Sequence, residues 1–462
     1  MSHSPTNPYE PPRAIDSPPA NFGGASGDAQ FDTPPTHARY GVLGFSVSMS
    51  LLLYLDRYAF SVAQPTIKTE LGLDDQDMGY AQSAFFYTYA LAQVPAAWLS
   101  QRFGARVTLA LYVLVWSLAF AGMGSITGLK SLMLFRGLLG LAQAGAYPCA
   151  GGFLKRWFPV YQRGIANSCT SMGGRSGNLV ANVLTPQLMM LAGVLVGATT
   201  GQWRWVFGLY ALAGVLWSAY FWWWFRDAPH EHARCNAAER HLISDGHAAA
   251  TAVRSSAAPP ILAMLTNPTV LLLCAIGIFV NVGWIFLVTF LQTYLKDVHQ
   301  LDLRTVGWLA AVPGMASICG GVLGGLTTDW LVRTIGLSWG RRLTGIIATG
   351  GAAVAYLLCL MTGRLELLII LFAAIGFLID FGLGSLWAVN QDIAGKHVST
   401  VLGFANMCGN LAAAGFATVI GGFAKAGDWT TVFAIASVAL FITMTCWCFV
   451  NPHRLLVVER DS

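Results

Sequence analysis

The sequence predicts an all-α membrane protein with twelve transmembrane helices in two six-helix bundles. Three observations predict it. Hydrophobic residues make up 55% of the 462 residues and charged residues only 11%, against about 25% charged in soluble domains. Apolar runs of about 20 residues, the length that crosses a bilayer as a helix, recur along the chain. A polar stretch, Arg226 to about Thr266, divides these runs into two sets of six, and related loops follow the second run of each set.

Residues 1–37 are rich in Pro, Ser, Gly and Asn and hold no apolar core long enough for a signal peptide, so they read as a disordered cytoplasmic tail. The first bundle occupies 38–225, with helices near Gly41–Ala63, Gly79–Ser100, Ala105–Ser125, Ser131–Phe153, Gly164–Val194 and Trp203–Phe225. The stretch 226–266 carries His230, His232, His241 and His247 at spacings too irregular for metal ligands and reads as a solvated cytoplasmic linker. The second bundle occupies 267–452, with helices near Pro268–Thr293, Thr305–Thr328, Arg342–Thr362, Glu366–Gln391, Val398–Ala424 and Trp429–Val450. Residues 453–462 form a short cytoplasmic tail.

The net charge of +5 is not a nucleic-acid signal, because the bases follow the loops of one side: Arg102 and Arg106; Lys155, Arg156 and Arg163; the linker; Arg333, Arg341 and Arg342. The first loop of the opposite side, Lys68 to Asp77, is acidic. The basic side is cytoplasmic by the positive-inside rule, which puts both termini inside and the protein in the inner membrane. The nine cysteines are scattered without CxxC spacing, which argues against disulfides and metal sites. No G-x-S-x-G elbow, HExxH or Walker loop is present, so the expectation is no enzyme and no cofactor.

The stretch 50–67, SLLLYLDRYAFSVAQPTI, puts Asp56 and Arg57 inside the first apolar run. A cation on a spanning helix costs about 3 kcal/mol on insertion scales, so it is kept where it faces a wet cavity and binds something. Tyr54 lies one turn before Arg57 on the same face. An arginine fork suits a carboxylate because it holds both oxygens. Arg175, in SMGGRSGN, is a second candidate cation; Gly173, Gly174 and Gly177 leave room for close approach of a ligand, and Asn178 adds a donor. Arg136 and Gln143 share a face seven residues apart, and pairing with Asp56 is the structural alternative for Arg136. In the second half Asn281 and Trp284 share a face, as do Asn406 and Asn410. Trp387 and Asn390 follow Asp380 on the tenth helix. Amides and flat rings suit a polyol, and a buried carboxyl at Asp380 is a candidate proton carrier. The loops AWLSQRFGAR and GLTTDWLVR mark two related halves. A site between such halves near the midplane is the geometry of alternating access.

Several of these segments resemble the major facilitator superfamily, and within it the anion:cation symporter group. They are YLDRYAFSVAQP, RGLLGLAQAGAYP followed by KRWFP, FRDAPHEH, GGLTTDWLVR, WAVNQDIAGK and GFANMCGN. The resemblance runs from about Tyr40 to Pro452. It implies the major facilitator fold and a monomeric secondary active transporter in the bilayer. The implied cargo is small organic anions, namely sugar acids such as hexuronates or aldonates, carried with protons. It further implies that Tyr89 and Gln93 line the cavity, that Asn406 meets substrate hydroxyls, and that Arg136 belongs to a proton-coupling network. Arg102, Gly104, Asp329 and Arg333 fall in the gating loops. Two departures stand out. Gln101 occupies the place of the first gating-loop Asp, and Gln143 the place of the helix-four Glu that carries the proton. Gln cannot titrate, so Asp56 or Asp380 is expected to take that role. The alternatives are an uncoupled facilitator or exchanger and, of another class, a non-transporting nutrient sensor.

Overall fold

The computed structural model describes residues 33–197, 200–244, 260–301 and 303–456. Residues 1–32 of the expected disordered tail 1–37, His247 and the end of the C-terminal tail lie outside the described residues. Thr36, also in that expected tail, is held by its N–H, which donates to Asn236 Oδ1 at 3.2 Å. The first half consists of α1 (Ala38–Leu71), α2 (Asp75–Phe103), α3 (Ala105–Met123), α4 (Leu129–Gln143), α5 (Ala146–Trp157), α6 (Arg163–Val196) and α7 (Gln202–Trp224). Two short helices, α8 (Ala237–Ser244) and α9 (Ile261–Thr266), lie between the halves. The second half consists of α10 (Pro268–Ile285), α11 (Leu291–His299), α12 (Leu303–Ile335), α13 (Leu337–Leu360), α14 (Leu365–Ile393), α15 (Val398–Lys425) and α16 (Trp429–Phe449).

Ten helices among the described residues are long and apolar enough to cross a membrane. The expected twelve are completed by α2 and by α4 with α5. The α2 helix is less apolar because it carries Gln82, Tyr87, Thr88, Tyr89 and Gln93 along its length. Most of these groups serve the interior of the bundle rather than the lipid. The single fourth helix expected over Ser131–Phe153 is interrupted at Ala144–Gly145. There Gly145 lies against the ring of Tyr112, where a Cβ has no room. The seventh helix is interrupted by a π-turn at Phe286–Phe290, which packs Phe286 against Phe372 and Phe433.

Each half has its own apolar core. Trp116, Phe120, Trp203 and Phe207 sit at the centre of the first, Phe286, Tyr356, Phe372 and Phe433 at the centre of the second. Small residues let helices touch along their backbones. Cβ atoms built at Gly173 and Gly177 of α6 would strike the Val47 and Leu51 backbone of α1. Gly320 and Gly324 of α12 stand in the same relation to Phe377 and Phe381 of α14. Gly173 and Gly177 therefore serve helix packing, while Gly174 lies against the side chains of Tyr54 and Tyr147.

The linker is partly a folded element, not solvated throughout. Glu239 of α8 is fully buried and caps the start of α1. It accepts from the backbone N–H of Ala38 at 3.1 Å and of Arg39 at 3.2 Å, and from Arg39 Nη1 at 3.2 Å. A carboxylate at a helix N-terminus meets orphan N–H groups and the positive end of the dipole. His232, buried, packs on Trp224 and Trp157 with ring centroids 4.4 and 5.6 Å apart. Replacing Glu239 with Ala leaves Arg39 buried without this carboxylate, a loss of about 3 kcal/mol. The expected result is a melting temperature several degrees lower in detergent. An unchanged melting curve would show that α8 contributes nothing to the bundle.

Candidate functional site

A cavity of about 210 Å³ lies between the halves. The first half contributes Tyr54, Arg57, Tyr89, Tyr147, Ser171 and Arg175. From the second half come Asn281 and Trp284 of α10, Asp380, Trp387 and Asn390 of α14, and Asn406 and Asn410 of α15. Residues from Tyr54 to Asn410 thus meet in one chamber because each half turns one face of its helices toward the other.

Arg57 is the centre of the first-half wall. Its Nε donates to Gln143 Oε1 at 2.8 Å. Its guanidinium lies 4.4, 4.9 and 5.5 Å from the ring centroids of Tyr89, Phe85 and Tyr54. Its Nη2 has no hydrogen-bond partner among the described residues. The aromatic rings hold the cation in place through cation–π attraction without neutralising it. Arg57 thus keeps its charge and a donor for an anion.

Arg175 is placed differently. Its Nη2 and Nε reach the two carboxylate oxygens of Asp380 at 2.8 and 3.0 Å, across the boundary between the halves. Its guanidinium also lies 4.0 Å from the Trp284 ring centroid. The two residues expected to have separate tasks, anion binding and proton transfer, are one ion pair. Arg136 does not pair with Asp56. It donates to Gln82 Oε1 and lies over Phe60 and Phe85, with centroids at 4.3 and 4.6 Å. Asp56 is buried inside the first bundle, off the cavity wall, and its Oδ1 has no partner among the described residues.

Two expected lining residues lie elsewhere. Gln93 is fully buried where α2 meets α15, its backbone carbonyl against Gly403. Asn178 accepts from Asn182 one turn further along α6, at 2.6 Å, and does not reach the cavity. Sequence reasoning missed Tyr147 and Ser171. Tyr147 was within reach as the tyrosine of the AGAYP segment, where α4 breaks into α5; it packs on Trp387 of the other half at 5.6 Å. Ser171 was signalled only by its place one turn before Arg175. The Asn390 and Asn410 amide nitrogens donate to their own helix carbonyls at 2.8 Å, and the Asn390 Oδ1 has no partner among the described residues. Such oxygens can accept from hydroxyl groups.

On the side of the basic loops the halves are laced together. Asp329, at the end of α12, accepts from the N–H groups of Gly164 and Ile165 at 3.0 and 2.8 Å, at the start of α6. It also meets Arg341 Nη1 at 3.2 Å. Arg163 pairs with Asp392 at 2.7 Å, and Asn167 donates to Gln391 at 3.0 Å. Of the other gating-loop residues, Arg333 lies over the Tyr161 ring at 4.5 Å, while Arg102 is exposed beside Trp98 and Phe103 of its own helix. Gly104 has φ +85° and lies against the Asp227 carboxylate, so a side chain is excluded there. Asp227, from the FRDAPHEH segment, caps α3 by accepting from Ala105 N at 2.7 Å.

The place of the first gating-loop Asp shows a pseudo-symmetric contact. Gln101, near the end of α2, accepts from Thr400 Oγ1 at 2.8 Å, in the first turn of α15. Asp329 and Gln101 thus latch the ends of α12 and α2 to the starts of α6 and α15. The carboxylate adds charge–dipole attraction that the amide lacks, about 0.3–1 kcal/mol. Gln101→Asp is therefore expected to hold the basic face shut and slow turnover by about 2- to 5-fold. A rate equal to or above the wild type would contradict a latching role.

Residues 47–417 match the family described as Major Facilitator Superfamily. The chain belongs to the major facilitator superfamily. Its relatives in sequence include the probable sulfoacetate transporter SauU of Cupriavidus necator, 29% identical over 80% of this chain and 83% of that protein. The probable galactarate/D-glucarate transporter GudP of Escherichia coli K12 is 29% identical over 82% of this chain and 85% of its own length. The D-galactonate transporter of Escherichia coli O6:H1 is 31% identical over 68% of this chain and 72% of its own length. The fold is that of the proton:xylose symporter XylE, with a TM-score of 0.67 over 89% of this chain and 96% of that one at 14% identity. The human organic anion transporter MFSD10 superposes with a TM-score of 0.66 at 13% identity, over 89% of this chain and all of that one. This superfamily member therefore groups by sequence with transporters of the sugar-acid and small-anion type.

Proposed function

We propose that this chain is a carrier of small organic anions, with sugar acids of the hexuronate or aldonate kind as its cargo. The observation that carries the reading is Arg57: an arginine in a cavity between two halves, held by aromatic rings and an amide. Its fork takes the carboxylate. Trp284 and Trp387 present flat faces to the C–H groups of the sugar acid, and the asparagines of α10, α14 and α15 meet its hydroxyls. The site is complete within one chain, which supports a monomer. By the positive-inside rule the laced basic face is cytoplasmic and both termini are inside, so the cavity is offered to the outside. Release of Asp329, Arg163 and Asp392 from their cross-half partners would open it inward, the rocking of alternating access.

Proton symport is the reading that the resemblance to the anion:cation symporter group implies. A specific contact favours uncoupled facilitation or exchange: the group on Arg57 is the amide of Gln143, which holds no proton to trade. Uptake into proteoliposomes of labelled glucuronate, galacturonate, galactonate, gluconate and a neutral sugar, with and without an inward proton gradient, separates these readings. Accumulation driven by the gradient supports symport, with Asp56 or Asp380 as the proton site. Equilibration without accumulation supports the uncoupled carrier. Binding of an acid with no flux under either condition would overturn transport in favour of a sensor.

A further inference from the structure

Among the described residues the cavity wall carries three charged side chains, Arg57, Arg175 and Asp380, and two of them cancel. The Arg175–Asp380 pair is bidentate. The Asp380 side chain is 1% exposed and that of Arg175 22% exposed, so the carboxylate is shut in behind the guanidinium. Trp284 covers the Arg175 guanidinium at 4.0 Å. Both the charge of Arg175 and its geometric fork are taken. Arg57 meets only an amide and rings. Arg136 lies behind the wall, on Gln82, Phe60 and Phe85, and does not face the chamber. The chamber therefore offers a ligand one uncompensated positive charge.

Resting on the reading of the cavity as an anion site, we infer that Asp380 is a specificity-determining residue: by occupying Arg175 it sets the cavity to take monocarboxylates and to reject dicarboxylates of the same carbon skeleton. A monoanion leaves the chamber neutral once it sits on Arg57. A second carboxylate has no free cation to meet. To reach Arg175 it must displace Asp380, which leaves a buried carboxylate without its partner, the costly outcome for a buried pair. An unpaired charge carried into the chamber is no better. A terminal hydroxymethyl group asks for none of this and finds asparagine oxygens to donate to. The pair also joins α6 to α14, so a ligand that broke it would part the halves at the site itself.

The test uses acids that differ only at one end: galactonate against galactarate, and gluconate against glucarate. Uptake of each labelled acid is measured in proteoliposomes of wild type, Asp380→Asn, and Arg175→Gln/Asp380→Asn. The wild type is expected to favour each monoacid over its diacid by about tenfold or more, the factor of a modest difference in binding free energy. Asp380→Asn frees Arg175 and is expected to move that ratio toward the diacid by at least about tenfold. The double variant removes both charges, leaves Arg57 alone and should keep the wild-type preference. Equal uptake of both acids by the wild type, an unchanged ratio in Asp380→Asn, or diacid preference in the double variant overturns the assignment. The wild-type ratio and the double variant decide the matter if Asp380→Asn does not fold. Entry of none of the four acids into wild-type vesicles would be a different result, the failure of the carrier reading itself.

Discussion

Arg57→Ala is expected to weaken sugar-acid binding by about 100-fold or more, measured by titration calorimetry on the purified protein. Truncating one partner of a buried, hydrogen-bonded charge pair costs about 2–5 kcal/mol. Arg57 has three features that place it toward the upper end. It carries the cavity's uncompensated charge, its Nη2 has no partner among the described residues, and its position is fixed by Tyr89 and Phe85 at 4.4 and 4.9 Å. Arg57→Lys keeps the charge but not the planar fork, and an intermediate loss of about tenfold is expected. If Ala and Lys bind as the wild type does, the carboxylate sits elsewhere and Arg57 is not its anchor.

Gln143→Glu is expected to install pH dependence that the wild type lacks at this point. The carboxylate would stand where the amide oxygen now accepts from Arg57 Nε at 2.8 Å. In its charged form it competes with the substrate for Arg57 and weakens binding by about tenfold or more. Protonation abolishes that competition. Binding by the variant therefore rises as pH falls, while the same titration on the wild type shows no such rise from residue 143. In proteoliposomes the variant's uptake should respond to an inward proton gradient. A flat pH profile in Gln143→Glu would mean that the Arg57–Gln143 contact does not report on the substrate at all. The two variants together separate binding of the anion from coupling to a proton.

The two bundles and the cation on the first helix were legible because bilayer physics writes them plainly. Length of apolar run, cost of a buried charge and placement of Lys and Arg are all one-dimensional signals. The interior of the site was legible only in part. Tyr54, Arg57, Tyr89, Arg175, Asn281, Trp284, Asp380, Trp387, Asn390 and Asn406 do converge on one cavity. Helix rotation decided the exceptions. Gln93 shares a helical face with Tyr89 by spacing, yet α15 approaches closely at Gly403 and buries it outside the chamber. The partner of Arg175 was not legible, since Asp380 lies 205 residues away and both were read as single agents. Glycines beside Arg175 carried two physical meanings: the neighbouring α1 backbone chose helix packing for Gly173 and Gly177, while Gly174 lies against Tyr54 and Tyr147 of the cavity wall. In the linker, Glu239 looked like one of many solvated acids. Its role as the cap of α1 depends on a fold-back of 200 residues that no local pattern announces.

Counterflow tests the central claim most directly, because it requires a single site that faces each side in turn and does not depend on proton coupling. Vesicles containing the purified protein are loaded with unlabelled galactonate and diluted into a trace of labelled galactonate. Transient accumulation of label above its equilibrium level is the expected result, absent with Arg57→Ala and absent when a neutral sugar replaces the acid on both sides. Saturable binding of galactonate without any overshoot, or an equal overshoot for the neutral sugar, would contradict an alternating-access carrier built around an anion on Arg57.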